Sequence, residues 1–268
     1  MHTESGSNFK DLEKQNFLDL LSGINKEDQT LANLVQAQLN PIAALSESVC
    51  AKLESGGRLF YLGAGTSGRL GVVDASECPP TFGVSQGMVI GIMAGGDSAM
   101  RKAVEFAEDD TEQGIQDLEI FQINKKDFVV GISASGRTPY VLSALQSCKQ
   151  KGISTGCIVC NPDSVIAANC DFPVEVITGP EFVTGSTRMK AGTATKMVLN
   201  MITTSVMIKL GHVVGNQMVD MQLTNYKLID RGTKMVMEKT NLNFNSAKEL
   251  LLENGSVRKA VDAFLSKK

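Results

Sequence analysis

Two hydroxyl-rich loops stand out as places where chemistry could be done. The first is GAGTSGR at 63–69, with Thr66 and Ser67 between glycines. The second is SASGRT at 133–138, with Ser133, Ser135 and Thr138. Each follows an apolar run and opens a helical stretch. Hydroxyls and free N–H groups at a helix N-terminus offer several donors to a phosphate dianion without a lysine. GAGTSGR also satisfies the dinucleotide pattern G-x-G-x-x-G. That reading wants an acidic residue at the end of the second strand, but here the strand ends MAGGD, with Asp97 past the usual spacing. The hydroxyls also fill a turn where a pyrophosphate mainly needs bare backbone, so a single phosphate suits the loop better. For Thr138 the alternative is a plain helix cap ahead of Pro139 at the first helical position.

Charged residues form a second set. Glu77 lies in DASECPPTFG (74–83), just before Cys78, Pro79 and Pro80. The prolines should end its helix there. Its neighbours Val72, Val73 and Cys78 should bury it in part, which favours a protonated acid. Glu108, in VEFAEDDTEQG (104–114), falls with Glu105, Asp109 and Asp110 on a helix expected over about 98–118. From the residues alone, that reads as a solvated acidic face. GPEFVTGSTRMKAGT (179–193) brings Glu181, Ser186, Thr187, Arg188 and Lys190 ahead of a long apolar stretch. Arg188 and Lys190 could complete an anion site or hold carbohydrate oxygens. The alternative is a helix entry in which Glu181 and the cations pair among themselves.

The elements that must position these groups follow from periodicity. Five short, near-continuous apolar runs lie at 57–65, 87–96, 127–136, 153–161 and 172–179. Such runs mark parallel strands covered on both faces. Helical stretches separate them, at about 66–77, 98–118, 138–150 and 163–168. The order implies an α/β fold: a three-layer αβα, doubly wound, five-stranded parallel sheet. In the flavodoxin-like order 2-1-3-4-5, strands one and three are neighbours, so their loops would face one ligand. Two N-terminal helices are expected, the first stopped by Gly23 and the second capped by Asn25 and kinked or divided at Pro41. After residue 180 the chain reads as helical, over about 187–209, 216–238 and two short tail segments. We divide it into N-terminal helices (1–48), the phosphate-binding domain (49–212) and a C-terminal helical region (213–268).

Composition limits the function classes. The 268 residues are 43% apolar, with a formal net charge of −3 and no Lys/Arg block, so nothing points to nucleic acid. No apolar leader opens the chain. The stretch 197–214 is interrupted by Asn200 and Lys209 and reads as a buried helix, not a membrane span. The six cysteines have no disulfide-scaffold density, and CIVC (157–160) falls in a strand interior. Reduced, structural thiols in a cytoplasmic protein are expected.

Strand–GTS–helix followed by strand–SxSGxT–helix resembles the sugar isomerase (SIS) domain, which binds phosphosugars. That likeness implies that Thr66, Ser67, Ser133, Ser135 and Thr138 hold a substrate phosphate. Longer strings carry a closer resemblance: GGRLFYLGAGTSGRLGVVDASECPPTFG (56–83), VVGISASGRTPYV (129–141) and GPEFVTGSTRMKAGTATKMVLNM (179–201), together with TESGSNFKDL and INKEDQT. Over residues 3–232 the chain is similar to the N-acetylmuramic acid 6-phosphate etherases. The resemblance implies cleavage of the lactyl ether to N-acetylglucosamine 6-phosphate and D-lactate. A regulatory protein of glucokinase shares the fold and the phosphosugar site. In the family the acid maps onto Glu77 and the second carboxylate onto Glu108.

That chemistry needs a base for the C2 proton of the open-chain aldehyde and an acid for the departing lactate, but no metal or redox cofactor. A sugar-phosphate isomerase would need only the base, and a phosphosugar-sensing regulator would need neither. Ten helical residues separate Ser67 from Glu77, about 15 Å along a straight helix. A hexose phosphate is shorter than that from phosphorus to C3. Either the helix bends, or the site is shared in a homodimer with sites near its interface. After Arg231 the tail is shorter than in longer family members.

Overall fold

The computed structural model describes residues 1–104 and 106–266. Three helices come first: α1 (Phe17–Asp28), α2 (Leu31–Gln36) and α3 (Leu39–Glu54). Gly23 does not stop α1. A Cβ there would meet the rings of Phe182 at 2.7 Å and Phe9 at 3.0 Å, so the glycine lets the helix approach them. The expected cap at Asn25 is likewise absent, because that residue lies inside α1, whose cap is the Asn16 side chain. Pro41 sits in the first turn of α3, where its missing N–H costs no helical bond.

The alternating part follows: β1 (Leu59–Gly63), α4 (Gly65–Phe82), β2 (Val89–Met93), α5 (Gln113–Glu119), β3 (Phe128–Ser133), α6 (Pro139–Gln150), β4 (Ser154–Val159), α7 (Val165–Ala168) and β5 (Phe172–Glu175). The strands form one parallel sheet in the order β2-β1-β3-β4-β5. β1 and β3 are buried along their whole length, which explains their unbroken apolar sequence. Phe60, Leu62, Val129, Cys157 and Val159 join a core with Leu118 of α5, Tyr140 and Leu145 of α6 and Ile166 of α7. On the opposite face Gly156 admits Leu45 of α3, and Gly71 of α4 lies against Tyr61 and Ile132. The result is helix, sheet and helix in three layers.

Two sequence expectations fail here. α4 continues through Pro79 and Pro80 to Phe82, so Glu77 is not at a helix end. The prolines occupy the last turn, where each gives up the N–H bond it would make to the carbonyl four residues back, and Gly83 N–H still reaches the Pro79 carbonyl at 2.9 Å. The helix expected over 98–118 is instead a 3-10 turn at Asp97–Met100, another at Ala107–Asp109, and α5. Phe106 has φ +60°, a left-handed conformation that no continuous helix accommodates. Glu105 lies outside the described residues.

α8 (Lys190–Lys209) follows the sheet. Among the described residues no helix is long and apolar enough to cross a membrane. Next come a hairpin of β6 (Val213–Val214) and β7 (Gln217–Met218), then α9 (Tyr226–Thr240), α10 (Phe244–Asn254) and α11 (Val257–Leu265). The helix expected from 216 begins ten residues later. Gly215, at φ +63°, and Asn216 make the two-residue turn of a hairpin, and Asn225 caps α9 through its side chain.

The chain forms two compact units. The first contains Met1–Ala75 and Val89–Thr203, and the second contains Ser76–Met88 and the chain from Thr204 onward. In the second, Val219, Met221, Val236, Ala247, Leu251 and Val257 make a separate core. Asp220 receives Arg258 through both Nε and Nη2.

Candidate active site

The first hydroxyl loop is set by glycine packing. A Cβ at Gly68 would lie 2.5 Å from the Met93 Cβ and 2.7 Å from the Gly63 carbonyl oxygen. The pair Gly63 and Gly68 thus lets the first turn of α4 settle onto the end of β1, carrying Thr66 and Ser67 with it. Arg69 lines the cavity beside this loop, with part of its guanidinium spent on backbone carbonyls. Its guanidinium donates to the carbonyls of Ala99 (2.6 Å) and Met100 (3.2 Å), holding the chain after β2 in place.

The second loop is a hydroxyl knot. Ser133, at the end of β3 and only 2% exposed, lies 2.8 Å from Thr138 Oγ1 and 3.3 Å from Ser135 Oγ. Its Oγ also accepts the Gly136 N–H at 3.1 Å. Ser135 Oγ accepts the Arg137 N–H at 3.3 Å. Gly136 is required twice: its φ is +69°, and a Cβ would meet the Ser164 Cβ at 2.3 Å. Thr138 occupies the cap position of α6 but makes no side-chain cap bond, its hydroxyl being on Ser133. Gly63 pairs with Ile132 across β1 and β3, so the two loops leave the sheet side by side. Five hydroxyls therefore stand at the carboxyl ends of two adjacent strands, the usual ligand position in such a sheet.

Glu108 joins this neighbourhood. It is exposed, on the 3-10 turn at Ala107–Asp109. With Gly65, Ala94 and Ala99 it lines a cavity of about 220 Å³ beside the first loop. Small side chains leave room for a ligand there. Neither Arg69 nor these alanines was legible as part of a site, although the glycine spacing of GAGTSGR did mark the loop beside them as a phosphate binder.

Glu77 belongs to the second compact unit. It is exposed, between the exposed Ser76 and the buried Cys78. The partial burial expected from Val72, Val73 and Cys78 is not found in the single chain. Val73 is itself exposed, and it lies four residues before Glu77, on the same face of α4.

The loop before α8 separates into two kinds of residue. Glu181 is 1% exposed, and its oxygens accept the N–H groups of Lys190 (2.8 Å) and Ala191 (3.0 Å) at the start of α8. Burial pushes its carboxyl upward from the ordinary value, against the pull of those two donors and of the Lys190 charge. Lys190 is buried and ion-paired with Glu27 of α1. These two residues therefore build the helix entry. Ser186 is half-buried and Arg188 exposed, and both remain available to a ligand. Gly192 of α8 comes within reach of the first loop, since a Cβ there would touch the Thr66 methyl at 3.4 Å. Glu181→Ala leaves two buried N–H groups unpaired. We expect a loss of about 2–4 kcal/mol in urea unfolding, with Glu181→Gln losing less because it keeps one acceptor.

Among the described residues no group of three or more His, Cys, Asp or Glu side chains is placed to hold a metal ion. All six cysteines are free thiols. Cys157 and Cys170 approach to 3.3 Å between sulfurs inside the core.

Comparison with known proteins gives a consistent result. The family model for the glucokinase regulatory protein N-terminal SIS domain matches residues 41–149, and that for the SIS domain matches residues 100–205. The chain is 60% identical to the N-acetylmuramic acid 6-phosphate etherase of Christiangramia forsetii, over 97% of this chain and 95% of that one. It is 55% identical to the Bacteroides fragilis protein of the same name, over 98% and 93%. Among solved structures, a phosphoheptose isomerase from Francisella tularensis superposes with a TM-score of 0.56 at 15% identity, covering 73% of this chain and all of that one. The Vibrio vulnificus NanR protein, solved in complex with ManNAc-6P, superposes with a TM-score of 0.51 at 14% identity, covering 75% and 65%. At such identities these structures establish the shared fold alone.

Proposed function

The chain belongs to the N-acetylmuramic acid 6-phosphate etherase family, and from that membership we propose how its residues divide the work. It is a lyase that cleaves the lactyl ether of N-acetylmuramic acid 6-phosphate, giving N-acetylglucosamine 6-phosphate and D-lactate. The reading of its site rests on one observation above the others: two hydroxyl loops leave adjacent strand ends, and Glu108 lines a cavity beside the first of them. Thr66, Ser67, Ser133, Ser135 and Thr138 bind the 6-phosphate. The sugar extends from there, with Ser186 and Arg188 available to its oxygens.

In the open-chain aldehyde the C2 proton is acidified by the carbonyl. Glu108 removes it. The C2–H electrons form the C2–C3 double bond as the C3–O bond breaks, and Glu77 protonates the departing lactate oxygen. Water then adds at C3 and a proton returns to C2, which completes the balance without an outside electron acceptor. A cytoplasmic setting fits this chemistry and the free thiols.

The active species is a homodimer with shared sites. Ten residues separate Ser67 from Glu77, about 15 Å at the helical rise per residue. The substrate spans less than this, so Glu77 of one protomer serves the loops of its partner. Exposed Phe17, Leu18 and Leu21 on α1 supply apolar surface for a second copy. A covering subunit would also shield Glu77 from water. Mixing Glu77→Gln chains with Ser135→Ala chains should restore part of the lactate release, because each heterodimer keeps one intact site. Verified heterodimers with no recovery would rule out sharing.

A further inference from the structure

The N-terminal arm makes contacts that the phosphate loops and the carboxylates do not account for. It has no regular structure before the 3-10 turn at Leu12–Lys14, yet Thr3 is 0% exposed. The Thr3 N–H donates to Asn161 Oδ1 at 3.1 Å, and Asn161 Nδ2 donates to Thr3 Oγ1 at 2.8 Å. The same Nδ2 donates to the Ala134 carbonyl at 2.9 Å. Ala134 is the residue between Ser133 and Ser135. Asn161 is 2% exposed. One buried amide therefore joins the arm to the middle of the hydroxyl knot.

The other end of the arm is fixed elsewhere. Ser7 N–H donates to Thr184 Oγ1 at 3.0 Å, and Ser7 Oγ donates to the Phe182 carbonyl at 2.7 Å. The Phe9 ring meets Phe182 with centroids 4.7 Å apart. Phe182 and Thr184 belong to the loop that carries Ser186 and Arg188. Between the anchors, Glu4 reaches Gly185, where a Cβ would lie 3.0 Å from its carboxylate.

We propose that the arm from Thr3 to Phe9 is a brace that sets the spacing between the phosphate loop and the Ser186–Arg188 loop, with Asn161 and Ser7 as positioning residues. Neither touches the substrate. Asn161 shares the Ala134 carbonyl with the Cys160 N–H (3.0 Å) and ties it to the arm, which holds Ser133 and Ser135 toward one point. Ser7 holds the second loop at a fixed reach from the first. A loop of short hydroxyl side chains gains affinity only if its donors are already converged, because each would otherwise lose freedom on binding. The brace thus acts mainly on substrate capture, upstream of the chemical step.

This proposal rests on the etherase reading, and its test separates the two. Full-length wild type, Asn161→Ala, Ser7→Ala, Thr3→Val and Thr3→Ser are compared for lactate release from N-acetylmuramic acid 6-phosphate. Affinity for N-acetylglucosamine 6-phosphate is measured in parallel by calorimetry. The brace predicts KM raised and product affinity lowered about tenfold in Asn161→Ala and Ser7→Ala, with kcat changed less than about threefold. Thr3→Val should follow them in part, and Thr3→Ser, which keeps the hydroxyl, should match wild type. A lower melting temperature with unchanged KM and product affinity would overturn the brace and leave Asn161 a packing residue. The half-buried anchor Ser7 keeps the test open if Asn161→Ala fails to fold. If wild type itself releases no lactate, the etherase reading fails, and the product-affinity comparison still decides the brace.

Discussion

Glu77→Gln is expected to lower lactate release by about a thousandfold while leaving the C2 proton exchangeable. The two steps need different groups. Removing the C2 proton requires a base and a carbonyl, and the proposed mechanism assigns neither to Glu77. Breaking the C3–O bond expels lactate as an alkoxide unless an acid supplies a proton. Glutamine keeps the size and polarity of Glu77 but has no proton to give. Proton NMR of the substrate in deuterium oxide reads exchange at C2, and a lactate assay reads cleavage. Glu108→Gln should show the converse, losing exchange and cleavage together. Should Glu77→Gln lose exchange as well, Glu77 would be the base and the assignment would reverse. Its exposure in the single chain makes the partner protomer part of this expectation.

Ser133→Ala should raise KM on the order of 10- to 100-fold, with a smaller effect on kcat. The Ser133 hydroxyl does three things at once. It contacts Thr138 Oγ1, it contacts Ser135 Oγ, and it accepts the Gly136 N–H. In the proposed phosphate site alanine removes one ligand donor, and it frees the other two hydroxyls to rotate away. It also strips the Gly136 N–H of this side-chain acceptor at a position where φ is already +69°. Ser133→Thr keeps the hydroxyl and should lose less. If Ser133→Ala bound substrate normally, the phosphate would sit elsewhere.

The parts of the fold that read clearly from sequence were those governed by local pattern. β1 and β3 are continuous apolar runs because both faces are covered, and Leu59–Gly63 and Phe128–Ser133 lie where such runs place them, whereas edge strand β5 leaves Pro173 exposed. The hydroxyl loops were legible because glycine spacing reports backbone approach. What pattern could not reveal was tertiary. Gly23 continues a helix because Phe9 and Phe182 pack against it, and those partners are distant in sequence. The Pro79–Pro80 pair looks like a stop, yet the helix runs on to Phe82 with two of its donors given up. The acidic stretch around Glu108 carries helix-compatible residues, yet Phe106 turns left-handed and breaks it. Glu181 and Lys190 were open to a ligand role or a helix entry; the helix start engages Glu181, while the Lys190 partner is Glu27, far away in sequence. Asn161 follows a strand and precedes a proline, so it reads as turn chemistry. Its use as a link to Thr3 depends on a partner 158 positions away in the chain.

The central claim is that cleavage runs by elimination and then addition of water at C3. It is tested most directly by incubating the enzyme with N-acetylmuramic acid 6-phosphate in heavy-oxygen water and weighing both products. The account predicts one heavy oxygen at C3 of N-acetylglucosamine 6-phosphate and none in lactate. Heavy oxygen in lactate, with an unlabelled C3 hydroxyl, would contradict it, because the ether would then have been opened from the lactyl side.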